Sequence, residues 1–195
     1  KKPVDLGFCD FSTLARRKHF CEEELRLNQR TSKDFYLGVI PIGLLNGNPK
    51  IGLEPALEYA VRMHQFPAGA RLDRRLAANR IEAGDMRRLA TRLASFHRQL
   101  PAVSDIDPEQ AAKRASAAAL NNFQHIHGDH ISTVSRRQVD MIESWTRQQA
   151  VLLEPEFKRR VASGFTRECH GDLHLANLFE WDGEIYPYDS LEFNP

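Results

Sequence analysis

The residues best suited to chemistry lie in the last quarter of the chain, where polar side chains follow one another at fixed spacing. His170, Gly171 and Asp172 form a His-Gly-Asp triplet, and Asn177 follows the aspartate by five positions. Asp189 ends a short apolar segment about a dozen residues later. An acid, an amide and a second acid suit magnesium-dependent phosphoryl transfer, because a base must orient the attacking hydroxyl and hard oxygen ligands must hold Mg²⁺ against the phosphates.

A second His-Gly-Asp triplet, at residues 127–129, shows that the triplet alone has little specificity. Five positions after its aspartate stands Val134 rather than an amide, and no pair of apolar strands follows. We interpret this stretch, with His125, His127 and His130, as an exposed interhelical loop rather than a metal site, because no cysteine or additional carboxylate completes a ligand set. The amide and the strands that follow are what distinguish the triplet at His170.

A short hairpin is expected to position the two acids and the amide together. The apolar segments 177–181 and 184–188 flank an Asp182-Gly183 turn, a pattern that predicts two antiparallel strands. The hairpin would carry Asp189 back beside the loop that holds Asp172 and Asn177, so that all three side chains face one pocket.

Upstream of the motif, a strand-rich part precedes a helical part, so the sequence predicts an α+β fold. Residues 1–4 are interpreted as the end of a basic strand. A helix over about 12–30 follows, with Ser12 or Asp10 as its N-cap and with Leu14, Cys21 and Leu25 on its buried side. A strand at 35–45 followed by an Asn-Gly turn predicts a hairpin, whose return segment is split around Pro55 and resumes at 57–63. Helices are predicted at 72–79, 81–100, 109–123 and 135–161, the last either continuous or broken at Glu154-Pro155. The composition changes near residues 66–69, which predicts a boundary between residues 1–66 and residues 67–195.

The overall composition argues against several classes of protein. With 195 residues, 42% hydrophobic and 27% charged, the chain is typical of globular proteins, and a net charge of +1 disfavours a basic nucleic-acid-binding face. The longest mainly apolar run, residues 36–45, is too short to span a membrane. Cys9, Cys21 and Cys169 have no disulfide-like or metal-like spacing, which favours a reducing, cytoplasmic location with Cys21 and Cys169 buried.

The motif and its order resemble the aminoglycoside phosphotransferase family of the protein-kinase-like fold. The resemblance is most specific in His170-Gly-Asp-Leu-His-x-x-Asn177 followed by a strand and Asp189. Lys1-Lys2 resembles the end of the third N-lobe strand, and Glu24 resembles the helix glutamate that pairs with its lysine. More closely, the stretches 10–13, 21–24 and 59–63 are similar to a bacterial subgroup in which this domain is often joined to a P-loop nucleotide-binding domain.

This resemblance implies a bilobal fold with a small β-rich N-lobe remnant and a mainly helical C-lobe. No glycine-rich strand–turn–strand precedes Lys1 and no helices follow Asp189, so we expect the chain to be truncated at both ends. A P-loop domain would then be a fused or partner domain outside this chain.

By the same resemblance, each motif residue acquires an expected role. Asp172 would accept the proton of the attacking hydroxyl, supported by His170 and His174, while Asn177 and Asp189 would hold magnesium. Three groups would bind ATP: Lys1, Lys2 or a lysine upstream of them at the phosphates; Glu24, which orients that lysine; and the hinge residues Met63, His64 and Phe66 at the adenine.

The function expected from these features is ATP- and magnesium-dependent phosphorylation of a hydroxyl on a small molecule, such as a sugar, an amino alcohol or an aminoglycoside-like compound. One alternative is a catalytically inactive kinase-like module that binds nucleotide, against which the intact Asp172, Asn177 and Asp189 argue. Another is a metallophosphoesterase, since residues 171–174 resemble one of its metal motifs, but the further Gly-Asn-His or Gly-His-x-His motifs are missing after it.

Overall fold

A computed structural model describes residues 1–5, 9–103, 105–126 and 133–192, and confirms an α+β fold in that part of the chain. The helices are α1 (Leu14–Ser32), α2 (Leu72–Ala77), α3 (Ala83–Gln99), α4 (Pro108–Ile126) and α5 (Thr133–Ala162). The strands are β1 (Tyr36–Leu45), β2 (Asn48–Ile51), β3 (Glu58–Met63), β4 (Leu178–Trp181) and β5 (Glu184–Pro187). The second His-Gly-Asp triplet and the ring of His125 lie outside the described residues.

Packing divides the chain into two compact units. The larger unit contains residues 1–99 and the chain from Cys169 onward, and the smaller unit contains residues 100–168. All the residues singled out by the motif belong to the larger unit. A lobe boundary between residues 66 and 67 stays a prediction.

Helix α1 begins at Leu14, later than expected, and buries polar side chains. Its N-cap is Thr13, whose hydroxyl accepts a hydrogen bond from the backbone N–H of Arg16, so neither Ser12 nor Asp10 fills this role. Residues 1–4, expected as a strand end, form no strand. Of residues 1–5 only Asp5 makes a β-bridge, to Asp10. A strand requires a ladder of paired neighbours, and Pro3 lacks the N–H donor that such a ladder needs.

The buried side of α1 only partly follows the expected apolar stripe. Cys21 is buried, but Leu14 and Leu25 are half-buried. Asn28 and Ser32 are instead almost completely buried. Asn28 accepts a hydrogen bond from the N–H of Ser190, after β5, and Ser32 donates one to the carbonyl of Pro187, at the end of β5. Burial of polar side chains is tolerated when they are hydrogen-bonded in this way.

The first sheet has the strand order β2-β1-β3 and is antiparallel throughout. The Asn46-Gly47 turn forms the expected hairpin, with positive φ at both residues. The return segment is split as expected, but its two halves pair with opposite edges of β1: Ile42 lies opposite Ile51 of β2 and opposite Glu58 of β3.

The β4–β5 hairpin lies between two hydrophobic clusters, because adjacent residues of a strand point to opposite faces. Phe179 of β4 packs with Phe35 and Tyr36. Its neighbour Leu178 packs with Leu72 and with Ile185 of β5. Burial on both faces fixes the register of the hairpin, and hence the position of the residues that follow it.

In the smaller unit, α4 and α5 pack against each other, and the ends of the segment meet at a bridge between Ala102 and Arg167. Helix α5 is continuous through Pro155. The Arg167 guanidinium donates to the carbonyl of Leu100.

Among the described residues, no helix is both long enough and apolar enough to cross a membrane. All three cysteines are free thiols. Cys9 and Cys21 are buried, but Cys169, expected to be buried, is exposed because it lies in the loop before the His-Gly-Asp triplet.

Candidate functional site

The candidate site is built on two segments, residues 170–177 before β4 and residues 188–192 after β5, which are joined by hydrogen bonds. The backbone N–H of Leu191 donates to the carbonyl of His170 over 2.9 Å, and that of Tyr188 donates to the carbonyl of Asn177 over 3.0 Å. The Tyr188 hydroxyl donates to the Ala176 carbonyl at 2.6 Å. The loop that carries Asp172 and Asn177 is therefore held beside the segment that carries Asp189.

Gly171 is required where these two segments touch. Its φ is +85°, in the left-handed region, and a Cβ added there would lie 2.7 Å from the Cβ of Leu191. A larger residue would therefore be strained and would push the two segments apart.

His170 lies behind the loop, with only 2% of its surface exposed. Its Nε2 is 2.9 Å from the carbonyl of Tyr188, so Nε2 carries a proton and donates it, while Nδ1 accepts from the backbone N–H of Asp172 at 3.4 Å. Burial lowers the His170 pKa, against an opposing contribution from the Tyr188 carbonyl. A neutral imidazole with this tautomer holds the two segments together and does not face the open side of the site.

Asp172 and Asn177 are directly connected. The Asn177 amide donates from Nδ2 to the backbone carbonyl of Asp172 at 3.0 Å and to its Oδ2 at 3.3 Å. His174 Nε2 lies 3.6 Å from the same Oδ2, while its Nδ1 accepts from the N–H of Ala176. The Asp172 side chain is 54% exposed, so its carboxylate is oriented by two neighbours and still accessible to a ligand.

Asp189 has a backbone conformation that residues other than glycine seldom adopt. Its φ is 61°, a left-handed value that aspartate and asparagine tolerate better than most residues. Its N–H donates to the Tyr36 hydroxyl at 3.1 Å, and the next N–H, of Ser190, donates to Asn28 Oδ1 at 2.9 Å. Helix α1 and strand β1 thus hold the strained turn that aims the Asp189 carboxylate.

Lys1 is the basic group of the site. Its ammonium forms an ion pair with Glu24 of α1 at 2.8 Å and a second, closer one with Glu192, three residues beyond Asp189. Only 16% of the Lys1 side chain is exposed. Within the described part of the chain Lys2 forms no such ion pair, and Glu24 rather than Glu22 or Glu23 contacts Lys1.

Around Lys1, carboxylates outnumber the single ammonium group. Burial alone would lower the Lys1 pKa, but the hydrogen bonds to Glu192 and Glu24 outweigh it and raise that pKa above its ordinary value. Burial also raises the pKa of Glu24 and of Asp189, and Glu192 adds to both increases while Lys1 opposes them. The pKa values of Lys1 and of both acids are therefore raised, because a single ammonium faces several carboxylates and cannot neutralise all of them.

The three hinge residues lie at the end of β3 and just beyond it. Met63 is half-buried opposite Tyr36, and the exposed His64 donates its backbone N–H to the Phe35 carbonyl at 2.9 Å. The ring of Phe66 stacks on that of Phe179, with centroids 4.1 Å apart and planes 1° from parallel. Two of these side chains therefore contribute to the aromatic core under the site.

The chemistry of the donor set fits a hard divalent cation. Because Asn177 donates through Nδ2, its Oδ1 points away from Asp172, and Asp189 adds a carboxylate one residue beyond Tyr188. Mg²⁺ usually takes one or two protein oxygens together with water and substrate phosphates. Within the described part of the chain, no three His, Cys, Asp or Glu side chains form a metal-binding group, so a cation here would depend on such external ligands.

Sequence reasoning missed three residues of the site: Asn28, Tyr36 and Glu192. Asn28 follows Glu24 by one helical turn on α1, and a polar residue at this spacing is a sequence signal that could have identified it. Tyr36 and Glu192 had no such signal, since their contacts join positions more than a hundred residues apart.

Comparison with known proteins identifies relatives but no function. The chain is 30% identical over 198 aligned positions to uncharacterized proteins of Mycobacterium tuberculosis and Mycobacterium bovis. The alignment covers 99% of this chain but only 37% of each relative. No protein-family model matches the chain, and no solved structure matches it.

Proposed function

We propose that this chain carries the catalytic centre of an ATP- and magnesium-dependent phosphotransferase that acts on a hydroxyl group of a small molecule. The proposal includes a bilobal, protein-kinase-like architecture, similarity to the aminoglycoside phosphotransferase family and a cytoplasmic location. A P-loop domain fused to this chain or bound to it stays a prediction.

The observation that carries the proposal is the convergence of Lys1, Glu24, Asp172, Asn177 and Asp189. The Lys1–Glu24 ion pair joins the start of the chain to α1, and the loop of Asp172 is hydrogen-bonded to the segment of Asp189. The charges of Lys1 and of Asp172 are also close enough to Asp189 to influence its pKa. A half-buried lysine, an oriented carboxylate and two oxygen ligands for a cation are the groups that phosphoryl transfer requires.

Each residue then has a defined task. Asp172, oriented by Asn177 and His174, accepts the proton of the acceptor hydroxyl. The hydroxyl oxygen bonds to the terminal phosphorus of ATP, while the bond from that phosphorus to ADP breaks and ADP leaves. Lys1 contacts the phosphates of ATP, and Glu24 orients Lys1. Asn177 Oδ1 and the Asp189 carboxylate would hold Mg²⁺, which supplies charge neutralisation at the phosphates when bound.

The adenine edge would meet the hinge after β3. Because the His64 N–H already donates to Phe35, the backbone of Phe66 and the carbonyl of His64 are the groups proposed to contact the base. The proposed acceptor is a small molecule with a free hydroxyl group, and the family name by itself does not imply an aminoglycoside.

The proposal is tested with Asp172→Asn in the full-length natural protein. ATP consumption is first measured with a panel of sugars, amino alcohols and aminoglycosides. With an active acceptor, Asp172→Asn should lower kcat about 10²- to 10⁴-fold, the usual contribution of a general base. ATP affinity should stay close to wild type. The matched control is Asp182→Asn, the same substitution at an exposed turn ten residues away.

Three outcomes would contradict the proposal. Undiminished turnover by Asp172→Asn would remove the assigned base. Tight binding of Mg²⁺ and ATP without turnover of any acceptor would favour the inactive nucleotide-binding module. Phosphatase activity that needs Mn²⁺ and no nucleotide would favour a metallophosphoesterase.

A further inference from the structure

Glu192 takes part in the site although no motif assigns it a role. It is three residues beyond Asp189, its side chain is only 9% exposed, and its carboxylate contacts the Lys1 ammonium. Lys1 is therefore shared between two carboxylates, one on α1 and one on the segment that carries Asp189.

The two carboxylates lie in different parts of the site. Glu24 reaches Lys1 from α1, whose next turn is anchored through Asn28 to Ser190. Glu192 reaches Lys1 from the segment that carries Asp189, three residues beyond that aspartate. Phosphates that bridge Lys1 and a cation at Asp189 would have to enter on this second side.

A phosphate oxygen and the Glu192 carboxylate would compete there. An ammonium group has three N–H donors, and two of them are used by the two glutamates. A phosphate held close to Lys1 would also lie close to the negative charge of Glu192. Water screens charges poorly between these two side chains, because both are largely withdrawn from solvent. Glu24 does not compete in the same way, because it holds Lys1 from helix α1 and not from the segment that carries Asp189.

We propose that Glu192 is an internal competitor for the phosphate-binding lysine, bound to Lys1 without nucleotide and displaced by the phosphates when a metal–nucleotide complex binds. This inference rests on the proposed function and adds a regulatory contact to it. It assigns opposite effects to two glutamates on the same lysine: Glu24 favours nucleotide binding, and Glu192 opposes it. Free ATP, which lacks a cation to offset its charge, should be opposed more strongly than Mg²⁺–ATP.

The test compares ATP dissociation constants of wild type, Glu192→Gln and Glu24→Gln by titration calorimetry, with Mg²⁺ and with EDTA. Glu192→Gln should bind ATP about tenfold more tightly in EDTA, the scale of one charge-assisted hydrogen bond, with a smaller gain in Mg²⁺. Glu24→Gln, with the same change in net charge, should bind more weakly in both. The control Glu184→Gln alters an exposed glutamate of β5 and should match wild type.

A second variant keeps the test decisive if Glu192→Gln does not fold, which thermal unfolding will reveal. Glu192→Asp keeps the charge but shortens the reach to Lys1, so its ATP affinity in EDTA should also exceed that of wild type, by less. Unchanged or weaker ATP binding by both Glu192 variants would overturn this inference alone. Failure of every variant and of wild type to bind ATP would overturn the proposed function, and this inference with it.

Discussion

Asn28, in helix α1, accepts a hydrogen bond from the backbone N–H of Ser190, which lies 162 positions later in the chain. Both residues are almost completely buried, with 0% and 1% of their surfaces exposed. The same Asn28 amide donates to the Glu24 carbonyl at 2.8 Å. One side chain thus connects the turn of α1 that carries Glu24 to the turn that carries Asp189.

Asn28→Ala should destabilise the larger unit by about 1–3 kcal/mol, because the buried Ser190 N–H loses its acceptor. Urea unfolding followed by circular dichroism measures this change. Asn48→Ala, on the exposed strand β2, is the matched control and should stay within about 0.5 kcal/mol of wild type. Equal unfolding midpoints for the two variants would show that the Asn28–Ser190 contact contributes nothing.

Asp189→Asn and Asp189→Ala separate the metal-binding role of Asp189 from its backbone conformation. Both remove the carboxylate, so both should weaken Mg²⁺–ATP binding, about tenfold or more. Only the alanine variant should also lose about 1 kcal/mol of stability, because alanine tolerates a φ of 61° poorly.

The control for the Asp189 variants is Asp182→Ala. Asp182 has a φ of 50° in the β4–β5 turn, so the same substitution carries a similar backbone cost without any assigned ligand role. It should lower stability and leave Mg²⁺–ATP binding unchanged. Normal Mg²⁺–ATP binding by Asp189→Asn would refute the assignment of Asp189 as a metal ligand.

His170 should make the stability of the larger unit sensitive to acid. Burial lowers its pKa below the ordinary value of 6.5, against the opposing charges of Asp172 and Asp189 and with a small contribution from Arg30. The unfolded chain then takes up a proton before the folded chain does. The stabilisation is fully present above pH 6.5 and is lost as the pH falls through the lower pKa of the folded state.

His170→Gln removes this titration. The variant should be less stable than wild type at pH 7, and the difference should shrink as the pH falls from 7 to 5, as measured by urea unfolding at each pH. His19→Gln, at an exposed position on α1, should show no such convergence with wild type. A difference that stays constant with pH would mean that His170 titrates alike in the folded and unfolded chains.

Glu24→Gln tests which glutamate of α1 orients the lysine. The loss of the Glu24 charge should raise the KM for ATP about tenfold, since Lys1 would lose its support from α1. Glu22→Gln, on the same helix but facing solvent beside Lys18, should leave the KM unchanged. An equal effect of both substitutions would mean that only the overall charge of α1 matters.

Local patterns allowed much of the fold to be predicted from the sequence. Hydrophobic periodicity, Asn46-Gly47 and Asp182-Gly183 predicted the helices and both hairpins close to their observed bounds. The strand at residues 1–4 and the N-cap of α1 were predicted wrongly, because a strand depends on a distant partner and several neighbouring polar residues could have capped the helix. The roles of the site residues stay predictions.

The sequence by itself determined which chemical groups occur and in what order: Asp172, Asn177 and Asp189 on a loop, a strand pair and a turn. Only the tertiary structure decided what those groups contact. Glu192 meets Lys1 across 191 positions, and Asn28 meets Ser190 across 162. Contacts over such separations arise from burial and register of whole elements, and neither leaves a periodic trace near the residues concerned.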